Sequence, residues 1–332
     1  MSETMITNVI IPEVFGPYVM ERSLNQNRFF QSGIMTQVPQ LAGFLAGGGK
    51  TFNVPYWKDL TGSLDVPSES VDITVNNITS DKMIAIRQIR EKAWGANDLS
   101  AAFAGSDPYA AIANRAIGFW SKAMEDLLIY SIRGVIADNV ADDSSSLVVD
   151  ISTEDGANAT AANKISATKT IEAIMKMGDE FGNMTAVAMH SAVYATLLQN
   201  DLIDFVKDSQ ANLNIPTYMG LRVIVSDNMY KVAGGTSGYK YHTYFFRAGA
   251  VGYGEYAGPI KPVEVLREPK RGGGVDILIM RKQFIIHPLG FSWDKASNTA
   301  ITPADADLYA ATSWDRLYDV KNTGVVCLVS NG

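Results

Sequence analysis

Three histidines are the first candidates for catalysis or metal binding. They are His190, His242 and His287, and none has a second histidine or a cysteine at the spacing of a metal site. Ser191 follows His190, but no nucleophile-elbow motif surrounds this serine, and a cap of the following helix explains it better. The sequence therefore predicts no catalytic residue and no metal site.

A second candidate is the segment GGGKT, from Gly47 to Thr51, which ends like a phosphate-binding loop. That motif requires a glycine where this chain has Phe44, and it has to open a helix. The segment FNVPYW follows instead, and Pro55 is incompatible with a helix interior. We therefore expect no nucleotide and no other cofactor.

The single cysteine and one acidic segment complete the search for reactive groups. Cys327 lies in the apolar run VVCLV, which indicates a small buried residue rather than a reactive thiol. With one cysteine the chain forms no internal disulfide. The carboxylates of residues 142–155 are interpreted as a solvated surface rather than as a cation site.

The composition limits the function classes further. The chain of 332 residues is 47% hydrophobic and only 19% charged, which leaves few charges for an exposed surface. The net charge of −7 argues against a protein that coats DNA, because such a protein needs a basic face. The N-terminus does not look like a secretory signal and no apolar run reaches membrane-spanning length, so we expect a chain that is soluble and cytoplasmic when made.

The element on which the rest of the chain is organised is one long helix, predicted from Pro108 to about Asn139. Apolar residues recur there at spacings of three and four and form a single stripe over about eight turns. Such a helix would be roughly 45 Å long at 1.5 Å per residue, so it would act as a strut. We predict that its core-facing residues are Ile112, Trp120, Met124, Leu127, Leu128 and Ile132.

The segments before this helix are apolar but have no core of their own. Residues 1–46 contain short apolar clusters interrupted by prolines, which predicts an arm that lies along another surface. Residues 51–57 and 71–78 alternate between apolar and polar residues and predict a long projecting hairpin with a polar tip. A hairpin of this kind is marginal alone in water, so it needs a neighbour to lie on.

After the long helix, strands and helices alternate from about residue 160 to 250, which indicates a compact mixed α/β unit. Two strands follow, at 261–267 and 275–287, joined by the basic glycine-rich turn EPKRGGG. The last strand is predicted over 318–329. We expect these late strands to share a sheet with the extended run before the long helix.

This order of parts resembles that of the major capsid protein of tailed bacteriophages, whose Hong-Kong-97-type fold is also used by encapsulin shells. The stretches that carry the resemblance are VIIPEVFGPYVMERS, SGIM, NVPYWKDL, KAWGANDLSAAFAGSDPYAAIA and FWSKAMEDLLIYSIRGV. The resemblance covers nearly the whole chain, and the run from Trp94 to Ala113 is its most specific part.

The resemblance implies an α+β fold with an N-terminal arm at 1–46 and an extended hairpin at 47–92. It also implies a peripheral domain at 93–160 and 262–332, which contains the long spine helix, and an axial domain at 161–261. In that family the arm and the hairpin embrace adjacent subunits. We therefore predict contacts between subunits at Phe15, Phe29, Phe30, Tyr56, Trp57, Leu64 and Val66.

The implied function is that of a coat protein, not an enzyme, which forms hexamers and pentamers of an icosahedral or prolate head around double-stranded DNA. The alternative is an encapsulin-type compartment that stores an enzyme cargo. The expected partners are other copies of the chain, a portal, a separate scaffolding protein and decoration proteins. The expected location is the virion, after assembly in the host cytoplasm.

Overall fold

The structure is a computed structural model, and it describes the chain except for residues 1–21, 23, 25, 59, 61, 68, 70, 71, 74, 105–107, 208–213, 257, 271 and 295–299. The α-helices are α1 (Arg28–Gln31), α2 (Pro39–Ala46), α3 (Asp98–Ala104), α4 (Pro108–Ala141), α5 (Ala167–Ile174), α6 (Ser191–Gln199), α7 (Asp305–Leu308) and α8 (Val320–Thr323). Short 3₁₀ segments are Gly156–Asn158, Ala161–Asn163, Met175–Asn183 and Ala311–Ser313.

The strands fall into two larger sheets and two pairs. They are β1 (Met35–Gln37), β2 (Thr51–Trp57), β3 (Ser80–Ile86), β4 (Gln88–Asn97), β5 (Val148–Asp150), β6 (Met184–Met189), β7 (Asp204–Lys207), β8 (Asn214–Tyr218), β9 (Leu221–Val225), β10 (Lys231–Ala233), β11 (Tyr239–Arg247), β12 (Val251–Glu255), β13 (Val263–Glu268), β14 (Val275–Pro288), β15 (Phe291–Trp293), β16 (Trp314–Arg316) and β17 (Val325–Asn331).

The predicted long helix is present as α4, which has 34 residues and is therefore about 50 Å long. Its apolar stripe faces the body of the protein, and the side chains of Trp120, Met124, Leu127, Leu128 and Ile132 are buried. Ile112 is half-buried and packs against the cluster that contains Trp120. The predicted cap at position 107 lies outside the described residues.

The first sheet has five strands and is organised around β14, whose 14 residues pair along both edges. One edge pairs with β4, from Val275–Asn97 to Phe284–Gln88. The other edge pairs with β13 and then with β12. The N-terminal half of α4 packs on this sheet through a cluster of Trp120, Leu278 and Met280.

The second sheet has eight strands in the order β5-β17-β11-β6-β9-β8-β7, with β10 also paired to β11. The last strand, β17, lies between β5 and β11, so it belongs to the α/β unit. The expectation that it shares a sheet with the other late strands is wrong. Every residue of β17 is buried, which is typical of a strand covered on both faces. The limits predicted for the two domains stay a prediction.

The hairpin is formed by β2 and β3, with pairing from Thr51–Ile86 to Trp57–Ser80. The prediction that residues 71–78 are the second strand is wrong, because the described residues of that stretch form no strand. The 22 residues between the strands therefore form a longer tip than the alternating pattern suggested. We call residues 58–79 the hairpin tip.

Candidate assembly surface

The base of the hairpin is fixed to the body by an apolar cluster. Phe52 and its cross-strand partner Ala85 are buried together with Leu41, Leu45 and Ile285. The Arg87 guanidinium lies 5.5 Å from the centre of the Phe52 ring and donates a hydrogen bond of 2.7 Å to the Leu45 carbonyl oxygen. These contacts set the direction in which the two strands leave the body.

The hairpin tip has the opposite character, because its apolar side chains contact little else in the chain. Leu64 is 98% exposed and Val66 is 87% exposed. Isolated exposed apolar residues are ordinary, but a group of them on one projection marks an interaction surface. The exposed apolar side chains of the tip are Leu60, Leu64, Val66, Ile73, Val75 and Ile78.

The tip is also acidic. After Lys58, residues 59–79 of the tip contain four carboxylates and no lysine or arginine. At the start of the tip, Lys58 and Asp81 form an ion pair of 2.9 Å. The side-chain hydrogen bond between them raises the pKa of Lys58 and lowers the pKa of Asp81. Both groups are exposed to solvent, so this pair contributes little stability.

The contact residues predicted on the hairpin lie at its surface. Trp57, Leu64 and Val66 are exposed. Tyr56 is half-buried, and its ring packs edge-on against that of Tyr318 with the centroids 5.0 Å apart. These residues are therefore available for contacts with other copies of the chain.

The residues predicted on the arm are placed differently. Phe29 has no exposed surface, and its ring packs edge-on against Phe246 at a centroid distance of 6.3 Å. The prediction that Phe29 contacts another subunit is wrong, because its own chain already buries it. Phe30 is half-buried against the same core. Phe15 lies outside the described residues.

The local sequence explains why this part of the arm folds back. The Asn27 side chain caps α1 by accepting hydrogen bonds from the backbone N–H groups of Phe29 and Phe30. The following strand β1 then pairs in parallel with β12, from Met35–Val251 to Gln37–Tyr253. A long-range pairing of this kind leaves no signature in the sequence of the arm itself.

A second exposed apolar surface lies where β4 meets the first turns of α4. Trp94 on β4 packs edge-on against Phe119 on α4, with ring centroids 5.0 Å apart. A groove of about 330 Å³ opens there, lined by Trp94, Ala111, Ile112, Arg115, Ala116 and Phe119. We call this the spine groove.

Helix α3, just before the spine helix, adds further exposed apolar surface. Phe103 is 85% exposed, and Leu99 is half-exposed. Neither this helix nor the spine groove was predicted from the sequence as an exposed apolar surface. The signal in the sequence was the run LSAAF, in which Leu99 and Phe103 lie on a segment too short to form a helix that buries them.

Beneath α4 lies a buried charge that was not predicted from the sequence. The Lys282 ammonium is 3.6 Å from a Glu255 carboxylate oxygen and 3.8 Å from the Met124 sulfur. Its nitrogen also lies 5.8 Å from the centre of the Trp120 ring. Burial lowers the pKa of Lys282, and the nearby carboxylate opposes that shift.

The histidines and the cysteine considered as candidates for catalysis or metal binding have structural surroundings. His190, rather than Ser191, caps α6, because its Nδ1 accepts the Ala192 N–H at 3.1 Å. Burial lowers the pKa of both His242 and His287 to about 4, so both are neutral at pH 7. The Cys327 thiol is buried, and burial raises its pKa well above the usual value. A buried thiol of this kind is unreactive.

The described residues contain neither a candidate metal cluster nor a membrane-spanning helix. In that part of the chain no group of three or more histidine, cysteine or acidic side chains is placed to hold a metal ion. Among the described helices, none combines the length and the apolar character that crossing a bilayer requires. GGGKT leads directly into β2 and opens no helix.

Comparison with known proteins agrees with the fold. The family described as Gp13-like, major capsid protein 13-like, matches residues 108–326. The chain is 39% identical over 329 residues to the major capsid protein of Bacillus phage SPP1, and the match covers 98% of each chain.

Among solved structures, the capsid of Ralstonia phage GP4 is similar with a TM-score of 0.63, at 10% identity and 92% coverage of each chain. The capsid of cyanophage Pam1 is similar with a TM-score of 0.57, at 10% identity, covering 93% of this chain and 92% of the other. At these identities the likeness is one of fold.

Proposed function

The chain belongs to the Gp13-like family of major capsid proteins, and from this premise we propose that its hairpin holds neighbouring subunits together in the shell of a tailed phage. The protein is a major capsid protein, and it associates with itself to form the capsid of the virion.

The observation that carries the proposal is the group of exposed apolar side chains on the hairpin tip. Moving one large aliphatic side chain from water into a packed interface contributes about 1.5–3 kcal/mol. Six of them would contribute on the order of 10 kcal/mol to one contact, before the costs of association are subtracted. Repeated at every subunit, contacts of that size would favour a closed symmetric assembly.

We further propose that the subunits form hexamers and pentamers and enclose double-stranded DNA. An acidic subunit suits that role, because a wall of subunits that each carry a net charge of −7 has little tendency to hold phosphates tightly. Assembly would involve a portal, a separate scaffolding protein and decoration proteins as partners. These partners are inferred from the family resemblance in the sequence.

We also propose that the protein has no catalytic activity. The histidines and the cysteine have structural surroundings, and the family role is a structural one. The encapsulin-type compartment is less well supported, since the matched family and the 39% identical relative are both phage capsid proteins.

Deleting residues 60–70 tests the role of the hairpin. The base of the hairpin is anchored by Phe52 and Ala85 and lies outside the deletion, so the subunit should remain folded. Negative-stain electron microscopy should then show few shells or shells of the wrong size, while circular dichroism of the subunit stays unchanged.

A matched control is Ile301→Ser, which removes an apolar side chain that is 81% exposed elsewhere on the surface. This variant should assemble like the wild type. Normal particles from the deletion variant, with unchanged resistance to denaturant, would contradict the proposed role of the hairpin.

A further inference from the structure

We propose that residues 27–31 of the arm act as a strap inside one subunit, and that this strap fixes the angle between the spine helix and the α/β unit. The angle in turn sets how sharply the wall curves, and so the size of the shell. This inference rests on the proposed function, because shell size has a meaning only for a chain that assembles. It goes further by assigning control of that size to bonds within the subunit.

On one side the strap is bonded to the spine helix. The Asn27 amide nitrogen donates a hydrogen bond of 3.3 Å to the backbone oxygen of Ser121. The oxygen of the same amide accepts the backbone N–H groups of Phe29 and Phe30 and caps α1. An asparagine side chain both donates and accepts, so this one buried residue shapes the strap and attaches it to the helix.

On the other side the strap is bonded to β9 of the α/β unit. The Arg28 guanidinium donates to the backbone oxygen of Val225. In the opposite direction, Arg222 of β9 donates a hydrogen bond of 2.8 Å to the backbone oxygen of Gln31. Hydrogen bonds from a charged donor are stronger than those between neutral groups. The burial of Phe29 holds the strap in place between these anchors.

The strap crosses beside a cleft of about 570 Å³ that separates the two units. The spine helix contributes Ser121 and Glu125 to its lining, and the α/β unit contributes Ser226 and Asn228. An open polar cleft resists a change of angle less than a packed apolar core does, because interdigitated side chains transmit strain. Asn228 also donates a hydrogen bond of 2.7 Å to Asp126 of the spine helix, so the units stay joined when the strap is released.

The angle matters because a closed shell requires each subunit to meet its neighbours in a defined orientation. A subunit whose two units pivot freely would offer the same contacts over a range of angles. We therefore expect that loss of the strap leaves the subunit folded and able to assemble, but removes the uniform size of the shells.

Two variants release the strap, one on each side. Asn27→Asp keeps the oxygen that caps α1 but has no N–H to donate to Ser121. Arg222→Met keeps an apolar stem and loses the bond to Gln31. In electron micrographs of assembled particles, each variant should give a broader distribution of shell diameters than the wild type, with only a minority of particles at the wild-type diameter.

Ser32→Ala is the matched control. The Ser32 hydroxyl donates a hydrogen bond of 2.9 Å to the backbone oxygen of Phe29, so this bond begins and ends within the arm. Its loss should leave the shell diameters unchanged. Circular dichroism and urea unfolding of unassembled subunits should show that the control and both strap variants are folded.

Pulsed electron paramagnetic resonance follows the angle directly in unassembled subunits. Spin labels are attached to Arg115→Cys on the spine helix and Leu198→Cys on the α/β unit, two exposed positions. The native Cys327 is buried and is not labelled. The distribution of distances between the labels should be narrow in the wild-type background and in the control, and broader in the two strap variants.

The outcomes separate the inference from the proposed function. Unchanged shell diameters or unchanged label distances in folded strap variants would overturn the inference and leave the shell function intact. Broadening of the same size in the control, or a complete loss of shells in a folded strap variant, would also overturn it. If Asn27→Asp does not fold, Arg222→Met, at a partly exposed position, decides the question alone. Failure of the wild-type chain to form any shell, with or without phage partner proteins, would instead contradict the proposed function.

Discussion

Replacing Gly134 with alanine should destabilise the subunit, even though alanine is the better helix former. In an isolated helix this change is worth about 1 kcal/mol in favour of alanine. In α4, however, a Cβ at position 134 would overlap the backbone carbonyl oxygen of Leu308 and lie 2.6 Å from the Trp314 indole nitrogen. The same nitrogen donates a buried hydrogen bond of 2.8 Å to that carbonyl oxygen.

The expected magnitude follows from these contacts. Forcing an extra carbon into a packed site costs about 1–3 kcal/mol. Disrupting the Trp314–Leu308 hydrogen bond costs about 1–3 kcal/mol more, because both partners stay buried. After subtracting the gain in helix propensity of about 1 kcal/mol, the free energy of unfolding should fall by about 1–5 kcal/mol.

Gly118 in the same helix provides the matched control. A Cβ at that position has no atom within 4 Å, and the residue is exposed. Gly118→Ala should therefore leave stability unchanged or raise it by up to about 1 kcal/mol. Urea unfolding of dilute, unassembled subunits measures both variants, since assembly would otherwise add to the apparent stability. A Gly134→Ala variant as stable as the wild type would refute the argument from close approach.

Two further predictions concern buried side chains of α4. Trp120→Ala should lower the free energy of unfolding by about 3–5 kcal/mol, because Trp120 is 2% exposed. The control Phe119→Ala, at the neighbouring half-exposed position, should lower it by less. Equal losses of stability in the two variants would contradict the burial of Trp120. Burial, followed by the nearby carboxylates of Asp143 and Asp315, raises the pKa of Asp138 to about 7. Folding therefore keeps a proton that unfolding releases, and the contribution of Asp138 to stability falls as the pH rises from about 4 to about 7. In urea unfolding, the stability of Asp138→Asn relative to the wild type should be higher at pH 8 than at pH 5. The same relative stability at both pH values would contradict the raised pKa of Asp138.

The long helix was predictable because its signal is local. Apolar residues at spacings of three and four over eight turns define one face, and that face is buried from Trp120 to Ile132. The predicted start at Pro108 and end near Asn139 agree with the observed helix, Pro108–Ala141. The Hong-Kong-97-type α+β fold was predictable from the resemblance, and similar solved capsids confirm it.

The hairpin register was not predictable, because alternation alone does not show which strand has a core to face. Residues 71–78 alternate clearly, yet Ile73 and Val75 are exposed. The partner that β2 actually pairs with carries Met83 and Ala85, which are buried against the body. The strand that pairs with β2 is determined by contacts between residues distant in sequence, such as those of Leu41 and Ile285 with Phe52.

The groove between β4 and α4 was not predicted for a related reason. Trp94 and Phe119 each look like ordinary core residues in the sequence, and one side of each does pack on the chain. The groove between them exists only because β4 pairs with β14 and thereby places Trp94 beside the first turns of α4. A groove built from two elements in this way has no linear motif, whereas the hairpin tip is one continuous segment.

The position of β17 links the segment after the spine helix to the α/β unit. β5 follows the spine helix by only a few residues, and among the described strands it pairs with β17 alone. β17 in turn covers the edge of β11 over seven residue pairs. The α/β unit therefore cannot complete its sheet until the last residues of the chain are present. Because only a short turn joins the spine helix to β5, the helix is attached to a sheet that is finished only when β17 is in place.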